Sequence, residues 1–397
     1  MSHKPHHGHH GHHEQHGGHH AQGAAAAADH PQDKPRTAPA HIGFAFDIDG
    51  VLLKGRKVLH QATRSLSLLN DKKVPYILLT NGGGVTEARK AEDLSAKLGV
   101  SIRPEQVVLS HSPMRELAAR YADKLVLVVG SDSCKDVALS YGFTRPVLPA
   151  EVFAWNPAMW PFKSSEGIQA RPLGRRSLLE DRMSCSLLTH RRPPLQPCTI
   201  DFTREPISAV LVFNDSRDWG RDIQIIIDLM RSKGGFLATE SDRSEPQSLP
   251  LYFSNSDLIW ANDYPVNRFA QGAFRLALET LYEASRGRLR CELTDGQRLV
   301  YTKFGKPEHA TYKFATRMLH DHAKSLWPNE TLPCRTVYAV GDNPASDIHG
   351  ANKHGWESIL VRTGVWRESH GHDHGAGHVV HDVEEAVHLV LKKEHIL

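Results

Sequence analysis

The stretch Ile42-Gly43-Phe44-Ala45-Phe46-Asp47-Ile48-Asp49-Gly50-Val51 is an apolar run that ends in two carboxylates and a glycine. Side chains at positions i and i+2 of an extended chain face the same side, so Asp47 and Asp49 are predicted to project together where a strand ends. Open α/β sheets bind ligands at that edge. One carboxylate can act there as a nucleophile and the other as a proton donor, with a divalent cation beside them. The pair is also consistent with a solvated turn, and less well with a calcium loop, which needs further oxygen ligands.

A second apolar run, at 74–79, ends in Thr80, Asn81 and the first of three glycines, Gly82. The Thr80 hydroxyl, the Asn81 side chain and the backbone N–H groups exposed by the glycines can cradle phosphate oxygens. The segment 86–99 then has a threonine suited to an N-cap, one apolar face and a terminal glycine, which predicts a helix. The order is therefore strand, phosphate loop and helix.

Two later segments extend this pattern. Lys306, in Gly-Lys-Pro at the start of a helical stretch, can pair with a nucleophilic carboxylate and a bound phosphate, although such a lysine is also consistent with a plain surface residue. The run from 336 is predicted to form another strand, and it ends in Asp342, with Asp347 close behind. Magnesium prefers oxygen ligands and usually keeps some waters. Asp47, Asp342 and the Asp49 backbone carbonyl, with Asp347 nearby, would therefore suffice to hold Mg²⁺.

These four segments, in this order, resemble the four motifs of the haloacid dehalogenase-like hydrolase superfamily. The resemblance implies an α/β fold: a three-layer Rossmann-like core with a parallel sheet, plus an inserted α/β cap domain of the C2 type. It implies that Asp47 is the nucleophile, that Asp49 is the general acid and base, and that Lys306 stabilises charge. It further implies phosphate binding by Thr80, Asn81 and Gly82, and metal binding by Asp47, Asp49, Asp342 and Asp347.

The long stretch between the second and third motifs places the cap after the second motif, which resembles subfamily IIA. Within it, the stretches of sequence that follow Asn81, Ser208 and Ala339 are most similar to the cat-eye-syndrome critical-region hydrolases, a group that includes a yeast mitochondrial hydrolase. We expect a disordered His-rich tail at 1–40, core at 41–109, cap at 110–280 with a disordered insertion at 164–203, and core again at 281–397 with a His-rich loop at 369–381.

The implied activity is a Mg²⁺-dependent phosphatase that cleaves a small phosphorylated metabolite, a phosphomonoester, through an aspartyl-phosphate intermediate. Two alternatives stay open: a non-catalytic scaffold on the same fold, or a phosphotransferase or phosphatase of glycerophospholipid metabolism. The resemblance also implies a mitochondrial location and a homodimer through the cap. The first arginine is Arg36, so the chain shows no clear presequence, and a cytoplasmic location is the alternative.

Net charge, cysteine content and hydropathy limit the classes of protein to which this chain can belong. A formal net charge of +3, spread without a basic stripe, argues against nucleic acid as a partner. The 5 cysteines form no metal-ligand pair and indicate reduced thiols in an intracellular compartment. Because no apolar stretch approaches the roughly 20 residues that a membrane helix needs, we expect no transmembrane segment.

Three segments allow more than one interpretation of their role. The histidine pairs of the tail can chelate transition metals or form a solvated low-complexity segment, in part an expression tag. The arginine-rich insertion at 164–203 is consistent with a basic docking loop, a disordered insertion or a translated intron, and its deletion is predicted to leave folding and catalysis intact. The polar stretch at 252–265 is either a substrate-reading loop of the cap or an ordinary surface loop.

Overall fold

The computed structural model describes residues 39–162, 200–260, 264, 266–286, 298–331, 333–371 and 374–397. Most of the predicted tail, most of the predicted insertion, and parts of the stretch 252–265 and of the His-rich loop lie outside these residues. The end of the predicted tail needs correction, because Ala40 is fully buried and its carbonyl accepts a hydrogen bond from the Cys334 N–H. The strands are β1 (Ile42–Phe46), β2 (Leu53–Lys54), β3 (Lys57–Val58), β4 (Tyr76–Leu79), β5 (Val107–Val108), β6 (Leu125–Val129), β7 (Arg145–Val147), β8 (Ala209–Val212), β9 (Leu251–Phe253), β10 (Ile259–Trp260), β11 (Arg268–Phe269), β12 (Thr302–Lys303), β13 (Thr336–Gly341), β14 (Glu357–Val361) and β15 (His378–Val380).

Helices connect these strands. The α-helices are α1 (His60–Asp71), α2 (Glu87–Leu98), α3 (Ala118–Tyr121), α4 (Cys134–Ser140), α5 (Pro149–Trp155), α6 (Trp219–Met230), α7 (Gln271–Ser285), α8 (His309–Leu326), α9 (His349–Lys353) and α10 (Val383–Lys393). Short 3-10 turns occur at Pro39–His41, Pro104–Gln106, Ser112–Leu117, Pro157–Met159 and Glu368–His370, and a π-helical turn occurs at Pro344–Ile348.

The first sheet has the parallel order β15-β14-β13-β1-β4-β5. Phe44 and Phe46 of β1 pack on one side, against α1, α2 and α10, whereas Ala45 packs on the other side, against α8. Both faces of the sheet are therefore covered, which is why its strands read as continuous apolar runs. The result is the predicted three-layer Rossmann-like core.

The second sheet has the parallel order β12-β9-β8-β6-β7 and forms the cap. Alternate residues of β6 and β8 face two separate apolar clusters, one with α5, α6 and α7 and the other with α4. The cap is thus also a three-layer α/β unit. Its sheet includes β12 and its helices include α7, so both extend beyond residue 280.

Capping residues set the ends of two helices. Helix α2 begins after Thr86, whose hydroxyl accepts a hydrogen bond from the Arg89 N–H, and it ends at Gly99 in the left-handed conformation with φ of 64°. Helix α6 begins at Trp219, after Asp218, whose carboxylate accepts a hydrogen bond from the Arg221 N–H and so caps the N-terminus.

The end of the predicted insertion needs correction. Phe202 is fully buried in the cap, its ring lies 5.4 Å from that of Trp155, and its carbonyl accepts a hydrogen bond from the Leu237 N–H. A deletion that runs to residue 203 would therefore remove part of the cap core, against the prediction that it is harmless. A deletion that ends at residue 199 avoids this loss.

In the part of the chain that the structure describes, no helix combines the length and the apolar character that spanning a bilayer requires.

Candidate active site

Three neighbouring strands of the core bring the predicted polar residues to one edge of the sheet. Phe46 pairs with Val340 of β13 and with Leu78 of β4, so the residues that follow these strands lie side by side. Asp47 follows β1, Asp342 follows β13 and Thr80 follows β4. Because all three strands run in parallel, their carboxyl ends meet, as the sequence predicted.

Lys306 lies at the centre of this edge. Its Nζ lies 2.6 Å from Asp47 Oδ1 and 2.6 Å from Asp347 Oδ1, and it donates to the Leu79 carbonyl at 2.9 Å. The lysine is 3% exposed. Burial alone would lower the pKa of Lys306, but the carboxylates of Asp347 and Asp47 outweigh burial and raise it. The lysine is therefore a fixed positive charge beside the predicted nucleophile.

Three carboxylates surround the space next to this lysine. Oxygen atoms of Asp47, Asp342 and Asp347 all lie within 4.8 Å of one another. Burial raises the pKa of Asp47 well above its usual value, with Asp347 and Asp342 adding to the effect of burial and Lys306 opposing it. Burial, and then the charge of Asp347, raise the pKa of Asp342 to about 7.

This donor set fits a hard divalent cation. The buried group holds three carboxylates against one lysine, so negative charge is in excess, and all of its donor atoms are oxygens, which Mg²⁺ and Ca²⁺ prefer. Hydrogen bonds also orient the ligands. Asp347 Oδ2 accepts from the N–H groups of Asp342 and Asn343 at 3.1 and 3.0 Å, and Asp342 Oδ2 accepts from the Val365 N–H at 2.6 Å.

Glycines make room for the Asp342 carboxylate. A Cβ atom on Gly364 would lie 1.8 Å from Asp342 Oδ2, and one on Gly50 would lie 2.3 Å from it. Gly50 also has a φ of +90°, in the left-handed region that favours glycine. The carboxylate is therefore held in a slot between two backbone segments that only glycine permits.

The other predicted residues occupy different surroundings. Asp49 is exposed, and its side chain is outside the buried carboxylate group. The group of Asp49 that we predicted to bind the metal is its backbone carbonyl. Its exposed carboxyl group suits proton exchange with solvent. Thr80 is buried, and its hydroxyl accepts a hydrogen bond from the Gly82 N–H at 3.0 Å. Gly82 itself is exposed at the tip of the loop.

Asn81 has a contact pattern that the sequence did not predict. Its Oδ1 accepts from the Lys306 N–H at 2.7 Å, and its Nδ2 donates to the Lys306 carbonyl at 3.0 Å and to Asp257 Oδ2 at 3.0 Å. Both amide hydrogens are used within the protein, and Asn81 thereby fixes the backbone of Lys306. The phosphate contact expected of this residue stays a prediction.

A buried hydrogen-bond network behind the phosphate loop was also missed. His111 Nε2 accepts from the Gly84 N–H at 3.1 Å, and its Nδ1 lies 2.8 Å from the Tyr141 hydroxyl, which donates to Glu87 at 2.6 Å. Burial lowers the pKa of His111 to about 4. His111 follows shortly after β5 at the same sheet edge, and this position in the sequence was the signal that could have identified it.

The carboxyl edge of the cap sheet faces the same loop. Ser133, which follows β6, donates a hydrogen bond to the Gly84 carbonyl. The hydroxyl oxygen of Ser254, which follows β9, lies 3.4 Å from the hydroxyl oxygen of Ser110. A Cβ atom on Gly84 would lie 2.9 Å from the Asn214 side chain, which follows β8. The ends of both parallel sheets therefore enclose the phosphate loop between core and cap.

Comparison with known proteins places these features in a family. A family model described as haloacid dehalogenase-like hydrolase matches residues 44–144, and a second model, HAD-hydrolase-like, matches residues 303–386. The chain is 39% identical over 376 residues to a mitochondrial hydrolase of Saccharomyces cerevisiae, a match that covers 90% of this chain and 97% of that protein.

Two further similarities concern a fusion protein and a solved structure. The chain is 38% identical over 356 residues to a fusion of cardiolipin synthase (CMP-forming) and a mitochondrial hydrolase from Schizosaccharomyces pombe, covering 89% of this chain and 54% of the fusion. A glycerol phosphate phosphatase from Mycobacterium tuberculosis, solved with magnesium, has a TM-score of 0.51 and 20% identity, covering 87% of this chain and 75% of that one. At this identity the similarity concerns the fold.

Proposed function

Since this chain belongs to the haloacid dehalogenase-like hydrolase family and is a hydrolase, we propose that it is a Mg²⁺-dependent phosphatase acting on a small phosphomonoester. The observation that carries the proposal is the convergence of Asp47, Asp342, Asp347 and Lys306 at one buried edge of the core sheet. A bound Mg²⁺, held by the three carboxylates, would act as a Lewis acid on a phosphate oxygen.

Each of the remaining chemical steps is assigned to a residue of the chain. Asp47 attacks phosphorus with one carboxylate oxygen, and the bond to the leaving alcohol breaks as an aspartyl-phosphate forms. The exposed Asp49 gives its proton to the leaving oxygen and then takes a proton from the water that hydrolyses the aspartyl-phosphate. Lys306 offsets the charge on the transferred phosphoryl group, and the backbone N–H groups of the phosphate loop donate to its oxygens.

Phosphate release from a panel of phosphorylated metabolites tests the proposal, with Mg²⁺ or with a chelator. The wild type should release phosphate only with the metal, and Asp47→Asn should release none while it keeps its fold by circular dichroism. Asp71→Asn, which alters an exposed carboxylate at the end of α1, is the matched control and should behave as wild type. Turnover that persists in Asp47→Asn would refute the nucleophile, and no release by the wild type would favour the scaffold alternative.

The covalent intermediate is tested separately. Because Asp49 is assigned to both proton transfers, Asp49→Asn should slow breakdown of the aspartyl-phosphate and let it accumulate from a substrate with an acidic leaving group, such as p-nitrophenyl phosphate. Mass spectrometry of the quenched enzyme should find phosphate on the peptide that contains Asp47. Phosphate found on another peptide would contradict the assignment.

A second candidate substrate class follows from one relative. The Schizosaccharomyces pombe relative joins a hydrolase of this kind to a cardiolipin synthase in one polypeptide. This favours a phosphorylated glycerolipid headgroup as an alternative substrate, with water or an alcohol as acceptor. Including such lipids in the panel, and assaying transfer to glycerol, separates this candidate from a soluble metabolite.

Two further proposals concern the location of the protein in the cell and its assembly. The relative named a mitochondrial hydrolase favours a mitochondrial location, which imaging of a tagged full-length chain would test. A homodimer through the cap remains a proposal from the sequence resemblance. Light scattering at several protein concentrations would measure the oligomeric state.

A further inference from the structure

Asn81 binds the catalytic lysine through the lysine's backbone and not through its side chain. It pairs with both polar backbone groups of Lys306, accepting from the N–H at 2.7 Å and donating to the carbonyl at 3.0 Å. The Lys306 side chain extends from this fixed backbone to Asp47 and Asp347. The position of the ammonium group therefore depends on where Asn81 holds the lysine.

Asp257 reaches this arrangement from the cap. It follows β9 of the cap sheet, and its Oδ2 accepts a hydrogen bond from the second amide hydrogen of Asn81 at 3.0 Å. Asn255, from the same loop, donates to the Asn81 backbone carbonyl at 3.3 Å. Asp257 is itself held, since its N–H donates to Asn255 Oδ1 at 2.8 Å and its carbonyl accepts from the Gly272 N–H at 2.8 Å.

Cap and core lie close together at this point. Gly305, directly before the lysine, has a φ of +81°, and a Cβ atom there would lie 2.4 Å from the Ser254 carbonyl and 3.0 Å from Asn81 Oδ1. Gly305 thus lets the cap loop lie directly against the backbone that carries Lys306.

Asp257 is one of the three groups that determine which way the Asn81 amide faces. An asparagine amide can be turned over, which exchanges its acceptor oxygen and its donor nitrogen. If the Asn81 amide turned over, its oxygen would face the Asp257 carboxylate and its NH₂ group would face the Lys306 N–H. The amide oxygen would also face the Lys306 carbonyl, so all three contacts would be repulsive, and Asp257 adds to the two lysine backbone groups in holding the observed orientation.

We propose that Asp257 is a positioning residue through which the seated cap fixes the catalytic lysine, by holding the Asn81 amide in the orientation that binds Lys306. The kinetic part of this inference rests on the proposed phosphatase function. Without this contact from the cap, Asn81 loses one of the partners that hold it, and the lysine backbone is held less firmly. The site is then complete only when the cap is seated.

Two variants of Asp257 separate positioning from plain structural support. Asp257→Ala removes the acceptor and should lower kcat by roughly 10- to 100-fold while KM changes less, because a small displacement of a catalytic group costs about that much in rate. Asp257→Asn can still present an oxygen to Asn81 and should stay within about threefold of wild type, given the modest net contribution of a neutral hydrogen bond. Equal loss of kcat in both variants would overturn the inference.

The matched control is Asp228, a cap carboxylate that also accepts a hydrogen bond from a side-chain amide, that of Gln224 at 2.8 Å. Asp228→Ala should leave kcat unchanged. A double variant Asn81→Ala/Asp257→Ala should be no slower than Asn81→Ala alone, because both changes break one chain of contacts.

Hydrogen exchange gives a readout that needs no turnover. The Lys306 N–H donates to Asn81, so Asp257→Ala should speed exchange of the peptide that contains Lys306, whereas Asp257→Asn and Asp228→Ala should not. Unchanged exchange in Asp257→Ala would overturn the inference even for an inactive protein. Conversely, a wild type without phosphatase activity would refute only the proposed function.

Discussion

Replacing Asp342 with Asn is expected to stabilise the metal-free protein and at the same time to abolish its metal-dependent turnover. Asp342 is 3% exposed and lies with Asp47 and Asp347 in one group of carboxylates. Without a cation, ionising Asp342 places another negative charge in this buried group. Asparagine has nearly the same shape, and its Oδ1 can still accept the hydrogen bond from the Val365 N–H.

The magnitude follows from the shift in the Asp342 pKa. Burial and the neighbouring Asp347 charge raise it from 3.8 to about 7, which is a shift of about 3 pH units. At about 1.4 kcal/mol per unit, ionised Asp342 costs on the order of 4 kcal/mol of folding free energy. Below pH 4 the group is protonated in both the folded and the unfolded chain and costs nothing. Between pH 4 and 7 only the folded chain keeps the proton, so stability falls as pH rises, and above pH 7 the whole cost is present.

Urea denaturation at pH 5 and pH 8, with chelator, measures this effect. The free energy of unfolding of Asp342→Asn should exceed that of wild type at pH 8, and the difference should shrink at pH 5. Asp49→Asn, which alters an exposed carboxylate of the same segment, is the control and should show no such gain. Added Mg²⁺ should stabilise wild type, by about 2.7 kcal/mol at a hundred times its Kd, and should stabilise Asp342→Asn much less. A variant less stable than wild type at pH 8 in chelator would refute the reasoning.

Three further predictions concern other parts of the molecule. Gly364→Ala places a Cβ atom 1.8 Å from Asp342 Oδ2 and should reduce turnover by at least about 100-fold, whereas Gly99→Ala, in open space, should cost about 1 kcal/mol of stability and no activity. Burial alone would raise the Glu87 pKa, but hydrogen bonds from Ser112 and Tyr141 and the charge of Arg115 lower it overall. The ionised Glu87 carboxylate therefore stabilises the folded chain above pH 4.5, and this stabilisation is lost as pH falls further. Glu87→Gln should therefore weaken this acid dependence in urea titrations and cost on the order of 2 kcal/mol at pH 7, and an unchanged pH slope would contradict this. Deleting 164–199 should leave the thermal midpoint and kcat near wild type, and an unfolded deletion variant would show that the segment is structural.

The sequence by itself was sufficient to locate the residues at the strand ends. Asp47, Thr80 and Asp342 each follow a buried apolar run, and parallel strands place their carboxyl ends at one edge of a sheet. The apolar runs and the helix signals between them are local properties of the chain. This is why the sequence predicts that these side chains meet at one edge of a sheet, whereas the division into a Rossmann-like core and a cap followed from the resemblance to the family.

Only the tertiary structure decided what Asn81, His111 and Asp257 do. Asn81 lies 176 residues from Asp257 and 225 from Lys306 in the chain, and no local pattern relates such positions. The local sequence around an asparagine beside a phosphate loop is the same whether its amide faces phosphate or a lysine backbone. The choice is made by which donors and acceptors meet when the two sheets dock, because a buried amide takes the orientation that satisfies all of its hydrogen bonds.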